Sequence, residues 1–349
     1  MAAINRPIDG FVGKVKDVTG PGLTDTWGMA CTDLGASVLA ADGNLISVFG
    51  DTFSGNRVGA GDWRSPVILI GAGDATHDVV YHRAAGADPA YAHQLWRYRH
   101  SDRVGPLRRG ISTVIPSDLL RVGHDLFLHA IVNRGFGHVV WTEIWRSGDN
   151  GSTWHNLGTR FPARLHSGHG QCWSWDFDPD SGWVYVVSTG FQRDKGIILQ
   201  RVRPHHLADE SRYAAWDPAA RRWGRRPGTI TGPGEKWGEL SLRRLGPGQW
   251  VLGGFLSSDY ALGYRVLGDP TTDLRAVPLQ RPVIGCAWDD EDHAGCRVAQ
   301  LYGGYLLPGS RLDRTGGVGL MVSQWNTAHG WPYRVMQFRV TLADTTAVR

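Results

Sequence analysis

The chain has 349 residues, and its 37 Lys and Arg nearly balance 33 Asp and Glu, so the formal net charge of +4 gives no reason to expect a nucleic-acid partner. No apolar run reaches the roughly 18 residues that a membrane-spanning helix needs, and we expect no membrane segment. The 47 glycines and 16 tryptophans, with few long periodic apolar runs, favour an all-β protein with many short strands and turns.

The N-terminal residues 1–7 lack the apolar core of a signal peptide, so the sequence leaves the localisation unknown. The spacing of the four cysteines fits no zinc motif. Cys286 and Cys296 bracket an acidic loop. They fit either a disulfide in an exported protein or a pair of free thiols.

Residues 29–53 read as a β-hairpin, because two short apolar runs flank the Asp42-Gly43 step. Folding the chain at this turn brings Asp33 and Asp51 to the same end of the hairpin. Two carboxylates at one strand end have two interpretations. They are solvated or cap backbone N–H groups, or they form a functional pair. Like charges opposed on strands are destabilising, so stability alone does not favour them.

The length of the hairpin loop decides how the two aspartates face each other. A three-residue loop places Asp33 directly opposite Asp51, with Cβ atoms roughly 5 Å apart. A two-residue loop slips the register by one, and Asp51 then lies opposite Leu34. Both registers leave the two carboxylates at one strand end.

The strand–glycine turn–strand pattern recurs four more times along the chain, and a further strand-like run follows each unit. Five units with this spacing predict a five-bladed β-propeller that occupies residues 1–349 as a single domain. A two-sheet sandwich is the alternative, but the fivefold recurrence argues against it. Residues 11–18 are expected to pair with the last blade and close the ring. The later turns are predicted at Gly123, Gly182, Gly248 and Gly304, with long inserts at residues 71–110 and 205–233.

Residues 147–154 match the Asp-box pattern S-x-D-x-G-x-T-W, which is common in sialidase-like propellers. Asp149 and Gly151 are expected to make a tight turn, with Trp154 packed beneath it. We interpret this motif as a structural turn between two outer strands, without a catalytic role.

The inner strands of a propeller converge on one axial funnel, so residues at the mouth end of these strands meet there. Glu239 precedes its turn glycine by nearly the same number of residues as Asp33 does. Glu239, Asp33 and Asp51 would then surround one cavity, and such a set suits glycoside hydrolysis by an acid and a base or nucleophile. The alternative for Glu239 is a surface glutamate on a strand edge.

Four further residues are candidates for contacts with a sugar substrate. His169, Gln171 and Trp173 lie on the third blade, and Asn133 ends the second strand of the second blade. Indole faces stack on sugar rings, and the polar side chains bind hydroxyl groups. The alternative for the blade-three segment is that its aromatic residues fill the space between blades. No motif for a phosphate, metal or other cofactor is present, and we predict neither a metal nor a cofactor.

The segments Thr32-Asp33-Leu-Gly, Phe49-Gly-Asp51-Thr-Phe-Ser-Gly and Trp237-Gly-Glu239 resemble the bacterial domain of unknown function family 4185, whose characterised members form glycoside hydrolase family 183, the endo-D-arabinanases. The resemblance implies a five-bladed propeller that cleaves internal α-D-arabinofuranosyl bonds in mycobacterial arabinogalactan and lipoarabinomannan. It implies catalytic roles for Asp33 and Asp51 and a secreted or cell-envelope protein, although no signal peptide is evident.

Two other functions fit the same fold, because propellers host many activities. One is a non-catalytic propeller that binds carbohydrate or protein. The other is a sialidase-like exo-glycosidase, which requires an arginine triad and a tyrosine nucleophile that the sequence does not assign. The paired aspartates favour the endo-acting hydrolase. Whether hydrolysis retains or inverts the anomeric configuration is left open.

Overall fold

A computed structural model describes residues 12–100, 110–135, 137–312 and 317–345. Within these ranges the chain forms 24 β-strands and six short 3-10 helices. None of these helices is long and apolar enough to cross a membrane. The helices span Asp25–Trp27, Leu165–Gly168, Pro204–His206, Glu210–Arg212, Leu274–Ala276 and Trp288–Asp290.

The strands are short, as expected where turns are frequent. The first eleven are β1 (Gly13–Asp17), β2 (Leu34–Leu39), β3 (Leu45–Phe49), β4 (Thr52–Phe53), β5 (Trp63–Arg64), β6 (Val67–Ala72), β7 (Val80–Ala84), β8 (Thr113–Val122), β9 (Asp125–Asn133), β10 (Val139–Ser147) and β11 (His155–Pro162).

The remaining thirteen strands are β12 (Cys172–Asp178), β13 (Trp183–Thr189), β14 (Ile198–Val202), β15 (Ala214–Asp217), β16 (Arg222–Gly224), β17 (Trp237–Gly246), β18 (Gln249–Leu256), β19 (Ala261–Leu267), β20 (Gln280–Cys286), β21 (Arg297–Ala299), β22 (Leu301–Leu306), β23 (Val318–Trp325) and β24 (Tyr333–Val340).

Five of the six sheets are the blades of a propeller, which confirms the predicted fold. Blade one has the strand order β2-β3-β6-β7, blade two β8-β9-β10-β11 and blade three β12-β13-β14-β15-β16. Blade four has the order β17-β18-β19-β20-β21, and blade five β22-β23-β24-β1. A separate pair, β4-β5, lies beside blade one. The one-domain assignment of residues 1–349 includes ranges outside the described residues and stays a prediction.

The ring closes through β1, which pairs antiparallel with β24 and so completes the last blade with the first strand of the chain. This confirms the closure predicted for residues 11–18, of which residue 11 lies outside the described residues. The inner strands β2, β8, β12, β17 and β22 each contact their two neighbours around the ring. Closure gives the last blade its fourth strand, and the inner strands stay at the axial edge of their sheets.

Serine hydroxyls join the inner part of one blade to the next. Each accepts a hydrogen bond from a backbone N–H of the neighbouring inner strand, which satisfies a buried donor that the sheet itself leaves unpaired. The pairs are Ser117 Oγ with Trp173 N at 2.7 Å, Ser174 Oγ with Leu242 N at 2.7 Å, Ser241 Oγ with Leu306 N at 2.9 Å and Ser323 Oγ with Leu34 N at 2.9 Å.

The apolar core lies between the faces of adjacent blades, where the alternating inward side chains of each strand meet. Between blades two and three, Trp173 and Trp175 are fully buried. His129 of blade two stacks on Trp173, with ring centroids 4.1 Å apart. Such packing fixes the blades relative to one another, and with them the strand ends that form the funnel mouth.

The predicted turn of the fifth unit at Gly304 is wrong. Gly303 and Gly304 lie inside β22, where the register with β23 shifts and Gly303 takes a φ of +63°. The chain leaves β22 only after Leu306. The two predicted inserts also contain regular structure, because they carry β7 in blade one and the outer strands β15 and β16 in blade three.

The hairpin of blade one has the three-residue loop, since Ala40 N donates to Asn44 O at 2.9 Å. The aspartates nevertheless do not face each other directly. A bulge at Leu34 and Gly35, both with positive φ, shifts the register by one residue. Gly50 therefore lies opposite Asp33, and Gly50 N donates to Asp33 O at 3.3 Å. The bulge corrects the predicted register but keeps both carboxylates at one strand end.

The Asp box forms the turn between β10 and β11, the two outer strands of blade two, as predicted. Asp149 accepts hydrogen bonds from Ser147 Oγ at 2.8 Å and Thr153 N at 2.9 Å. Trp154 packs beneath the turn and donates from Nε1 to Gly151 O at 3.0 Å. The side chains of Ser147, Asp149, Thr153 and Trp154 all form hydrogen bonds within the turn.

The four cysteines are free thiols. Cys31, Cys172 and Cys296 are buried, and Cys286 is partly exposed. Of the two alternatives for Cys286 and Cys296, the structure therefore has the free thiols.

Candidate active site

The funnel mouth collects residues from the beginning of the inner strands. Asp33 directly precedes β2, Thr113 opens β8, and Cys172 opens β12. Glu239 and Tyr302 lie near the beginning of β17 and β22. Because the five inner strands contact one another around the ring, these residues come from all five blades to one end of the axis.

Asp33 is held by tyrosines of blade five. Tyr302 Oη donates to Asp33 Oδ2 at 3.0 Å, and the hydroxyl of Tyr333 also hydrogen-bonds the carboxyl group. The other oxygen, Oδ1, is buried and has no hydrogen-bond partner among the described residues. A Cβ at Gly50 would collide with Oδ1, so the glycine opposite Asp33 makes room for the carboxyl group.

The environment of Asp33 favours its neutral form. Burial, followed by the negative charge of Asp51, raises the pKa of Asp33 to about 8, while the hydrogen bonds from Tyr333 and Tyr302 act in the opposite direction. The charge of Glu239 raises this pKa further. A carboxyl group with this pKa carries a proton at neutral pH.

Asp51 is held by donors that favour its charged form. Trp63 Nε1 and Thr113 Oγ1 both donate to Asp51 Oδ1, each at 2.8 Å. Burial raises the pKa of Asp51 above its ordinary value, and these two hydrogen bonds oppose that rise. The negative charge of Asp51 contributes to the raised pKa of Asp33, so the two carboxyl groups lie within electrostatic range of each other.

Glu239 forms the third carboxylate of the mouth and is paired with Arg193. Arg193 donates from Nε at 3.2 Å and from a terminal nitrogen at 2.5 Å, both to Glu239 Oε1. Oε2 is buried without a partner within the described part of the chain. Arg193 also lies over the rings of Phe255 and Tyr302. The pair supplies an unpartnered carboxylate oxygen beside a guanidinium group.

His169 and Gln171 lie at the mouth end of blade three, just before β12. Their side chains bind the backbone there. Gln171 Nε2 donates to Ala163 O at 2.9 Å, and its Oε1 accepts from Phe191 N at 3.0 Å. His169 Nδ1 lies 2.9 Å from His166 O. Gln171 therefore ties two mouth loops together, and a role for either residue in sugar binding stays a prediction.

Trp173 and Asn133 lie in the core instead of on the funnel wall. Trp173 is fully buried between His129 and Phe161, so its ring faces are not open to a sugar. Asn133 is also fully buried, and its Nδ2 donates to Ile131 O at 3.3 Å. Neither side chain is open to the funnel, and this corrects their assignment as sugar contacts.

Five residues that contact the carboxylates were not predicted: Trp63, Thr113, Arg193, Tyr302 and Tyr333. Trp63 and Arg193 are distant in sequence from the carboxylates they contact, and no local pattern marks them. Tyr302 had a usable signal, because it occupies the beginning of the fifth inner strand, as Asp33 and Glu239 do in blades one and four. Among the described residues, no group of three or more His, Cys, Asp or Glu side chains is arranged to hold a metal ion.

The family model described as "Domain of unknown function (DUF4185)" matches residues 19–339. A protein of Mycolicibacterium smegmatis, described as an uncharacterized 35.9 kDa protein in the asd 3' region, is 30% identical over 335 residues. This alignment covers 91% of the chain and 94% of the relative. The match therefore spans all five blades and the three carboxylates.

Two solved structures have the same fold. A suspected hydrolase of Bacteroides ovatus superposes with a TM-score of 0.60 at 14% identity, over 91% of this chain and 87% of the other. A GH43 β-xylosidase/α-arabinofuranosidase from a compost metagenome superposes with a TM-score of 0.50 at 11% identity, over 98% and 99% of the two chains. At such identities the likeness establishes the propeller fold alone.

Proposed function

The chain belongs to the family described as domain of unknown function DUF4185, and from this premise we propose that it is a glycoside hydrolase that cleaves internal α-D-arabinofuranosyl linkages of mycobacterial-type cell-wall arabinan. The observation that carries the proposal is the environment of Asp33 and Asp51. Two carboxyl groups in one site, of which one holds a proton at neutral pH and the other is bound by donors, match the acid and the base or nucleophile of a glycosidase.

Asp33 acts as the general acid. With a pKa of about 8 it is protonated at neutral pH. Because Tyr302 already donates to Oδ2, the unpartnered Oδ1 is the oxygen that holds the proton and gives it to the leaving glycosidic oxygen. The proton transfer leaves Asp33 charged, and the hydroxyls of Tyr302 and Tyr333 then stabilise the carboxylate.

Asp51 acts as the base or the nucleophile. Trp63 and Thr113 hold Oδ1, so Oδ2 is left to take a proton from water or to attack the anomeric carbon. The first case inverts the configuration and the second retains it. The negative charge of Asp51 also stabilises the positive charge that develops on the sugar ring.

Glu239 and Arg193 bind the substrate in this proposal. The salt bridge leaves Glu239 Oε2 free to accept from a sugar hydroxyl, and the Arg193 nitrogens supply donors beside it. Neither a metal nor a cofactor is part of the proposed mechanism.

Three observations support arabinan as the substrate. The segments around Asp33, Asp51 and Glu239 resemble those of the endo-D-arabinanases. A relative 30% identical to the chain comes from a mycobacterium. A protein with the same fold is named for α-arabinofuranosidase activity. A furanoside polymer with many hydroxyl groups also suits a mouth lined by carboxylates, tyrosines and an arginine.

The test is incubation of the protein with purified D-arabinan, with the products separated by chromatography and the anomer of the first product determined by NMR. We expect a ladder of oligosaccharides from the wild type and an unchanged polymer from Asp51→Asn. Arabinose as the sole product would show exo-cleavage. Binding of intact polymer without any cleavage would identify a carbohydrate-binding propeller instead.

A further inference from the structure

A cavity lies on the mouth face, between blades one and five. Its volume is about 390 Å³. One wall is the loop of residues 54–62 between β4 and β5, and the other is the loop of residues 326–332 between β23 and β24. Val58 N donates to Gly330 O at 3.0 Å, so the two walls are bonded to each other. The cavity is therefore part of the fixed structure of this face.

Two aromatic side chains, Trp325 and Tyr333, connect the cavity to Asp33, the proposed acid. Trp325 lines it, and the ring of Trp325 meets that of Tyr333 edge to face, with centroids 5.6 Å apart. Tyr333 in turn hydrogen-bonds Asp33. On the other wall, the loop begins directly after β4, the short strand that follows Asp51. Both walls thus continue directly from the elements that hold the paired aspartates.

The lining combines an aromatic ring with polar groups that are available to a ligand. Arg57 and His329 are exposed, and neither forms a salt bridge within the described residues. Thr327 Oγ1 accepts from Gln300 at 2.8 Å, which leaves its own hydrogen free to donate. An indole ring and several hydrogen-bond donors are what a sugar residue needs, since a sugar has an apolar face and a rim of hydroxyl groups.

The volume fits a short stretch of a sugar chain. It lies at the lower end of the roughly 300–1,000 Å³ of small-molecule sites, too small for a folded partner. The glycine-rich walls, with Gly59 and Gly330, allow a ligand to approach the backbone closely.

We propose that this cavity is a carbohydrate subsite that binds the same polysaccharide at a sugar residue away from the cleaved bond. The proposal rests on the proposed function for its substrate, and it adds a distal anchor formed by Trp325, Arg57, Thr327 and His329. An anchor beside the cleavage site favours attack within a long chain, because binding of distant residues holds the polymer across the funnel.

The test uses Arg57→Ala and His329→Ala, with Arg222→Ala on the exposed outer edge of blade three as the matched control. Affinity for D-arabinan is measured by affinity electrophoresis in the Asp51→Asn background, which leaves the polymer intact. Each cavity variant is expected to weaken binding by up to about tenfold, the effect of losing one hydrogen bond. Arg222→Ala is expected to bind like its parent.

The second arm measures kcat/KM for Arg57→Ala with Asp51 restored, on long arabinan and on a short chromogenic arabinoside. The loss is expected to be about tenfold larger on the long chain. An equal loss on both substrates, or no loss, overturns the subsite while the proposed hydrolase stands. The wild type could also bind arabinan without cleaving it. If the cavity variants then bind more weakly than the wild type, the subsite is supported and the proposed hydrolase is overturned. A wild type that neither binds nor cleaves arabinan overturns both.

Discussion

Two groups of buried carboxylates lie along the propeller axis, and they differ in how their oxygens are used. The deeper group comprises Asp118 on β8 and Asp176 on β12. Arg243 donates to both oxygens of Asp118, at 2.6 and 2.8 Å, and Ser174 Oγ donates to Oδ2 at 2.5 Å. Asp176 accepts from the backbone N–H groups of Phe177 and Arg244 at 2.8 and 2.7 Å. Every carboxylate oxygen of this group has a partner.

The group at the mouth leaves oxygens unused. Asp33 Oδ1 and Glu239 Oε2 are buried and have no partner among the described residues. An unsatisfied buried polar atom costs about 1–3 kcal/mol, so a hydrogen bond from a ligand to either oxygen would be favourable. The deep carboxylates hold three blades together, whereas the mouth carboxylates leave oxygens that the proposed mechanism uses.

The largest expected effect concerns the proposed acid and base. Asp33→Asn and Asp51→Asn each preserve the shape of the side chain but can neither transfer a proton nor attack. We expect each to lower kcat on arabinan by about 10²–10⁴, the usual contribution of a positioned acid or base. Steady-state kinetics with matched protein concentrations measures this loss. A variant that keeps more than about a tenth of the wild-type rate would remove that aspartate from the mechanism.

The thermal stability of the same Asp33→Asn variant, compared with that of the wild type at two pH values, tests the raised pKa of Asp33. The folded-state pKa of Asp33 is raised to about 8, so the folded protein binds a proton that the unfolded chain releases above about pH 4. This contribution to stability is present at low pH and is lost as the pH rises through 8. Asparagine removes the charge at every pH. The gain in Tm for Asp33→Asn should therefore be larger at pH 8 than at pH 5.

A substitution in the deep group should lower the stability of the protein and leave its turnover unchanged, the opposite of the result expected for the mouth aspartates. Asp118→Asn removes one partner of a buried ion pair and leaves the charge of Arg243 uncompensated. We expect a loss of about 3–5 kcal/mol in the free energy of unfolding. The folded fraction should keep a kcat near that of the wild type. Urea denaturation and kinetics on the same preparation measure both quantities.

A double variant provides the control for Asp118→Asn. In Asp118→Asn/Arg243→Met the uncompensated charge is gone, and part of the lost stability should return. A stable Asp118→Asn protein without activity would contradict the comparison, because the deep group would then take part in the reaction.

The fold was predictable because each blade repeats one pattern of strand, glycine turn and strand. The pattern gave a wrong turn where a glycine lies in a β-bulge instead of a turn. Gly303 and Gly304 read as a turn but lie in a bulge of β22, and only the pairing partner of a strand distinguishes these two uses of glycine. The bulge at Leu34 and Gly35 was not predicted either, because it too is visible only from the pairing of β2 with β3.

The carboxylates of the site were predictable because a propeller brings equivalent strand ends together. Their partners were harder to find. Arg193 reaches Glu239 from the loop before β14, 46 residues away in sequence. The burial of Trp173 follows from its contact with His129 of the neighbouring blade, which depends on the angle between the blades and not on a local sequence signal.

The Asp box extends the comparison to the outer edge of blade two. Both oxygens of Asp149 are occupied, by Ser147 and Thr153. Asp149→Ala should lower the free energy of unfolding by about 1–3 kcal/mol through loss of the turn hydrogen bonds. Turnover by the folded protein should be near normal. Thermal unfolding and kinetics measure this, and a well-folded variant without turnover would show that the motif belongs to the active site.

The smallest expected effect concerns the hydrogen bond from Tyr302 to Asp33. The wild-type rate should fall as the pH rises through about 8, because Asp33 then loses the proton it must donate. Tyr302 favours the charged form of Asp33, so Tyr302→Phe should raise this pKa and move the alkaline limb of the kcat profile to higher pH. The rate at neutral pH should change less than tenfold, since one hydrogen bond contributes about 1 kcal/mol. Tyr213→Phe, which removes a buried hydrogen bond to Leu207 O in blade three, is the control and should leave the limb in place. An alkaline limb that does not move in Tyr302→Phe would show that a group other than Asp33 donates the proton.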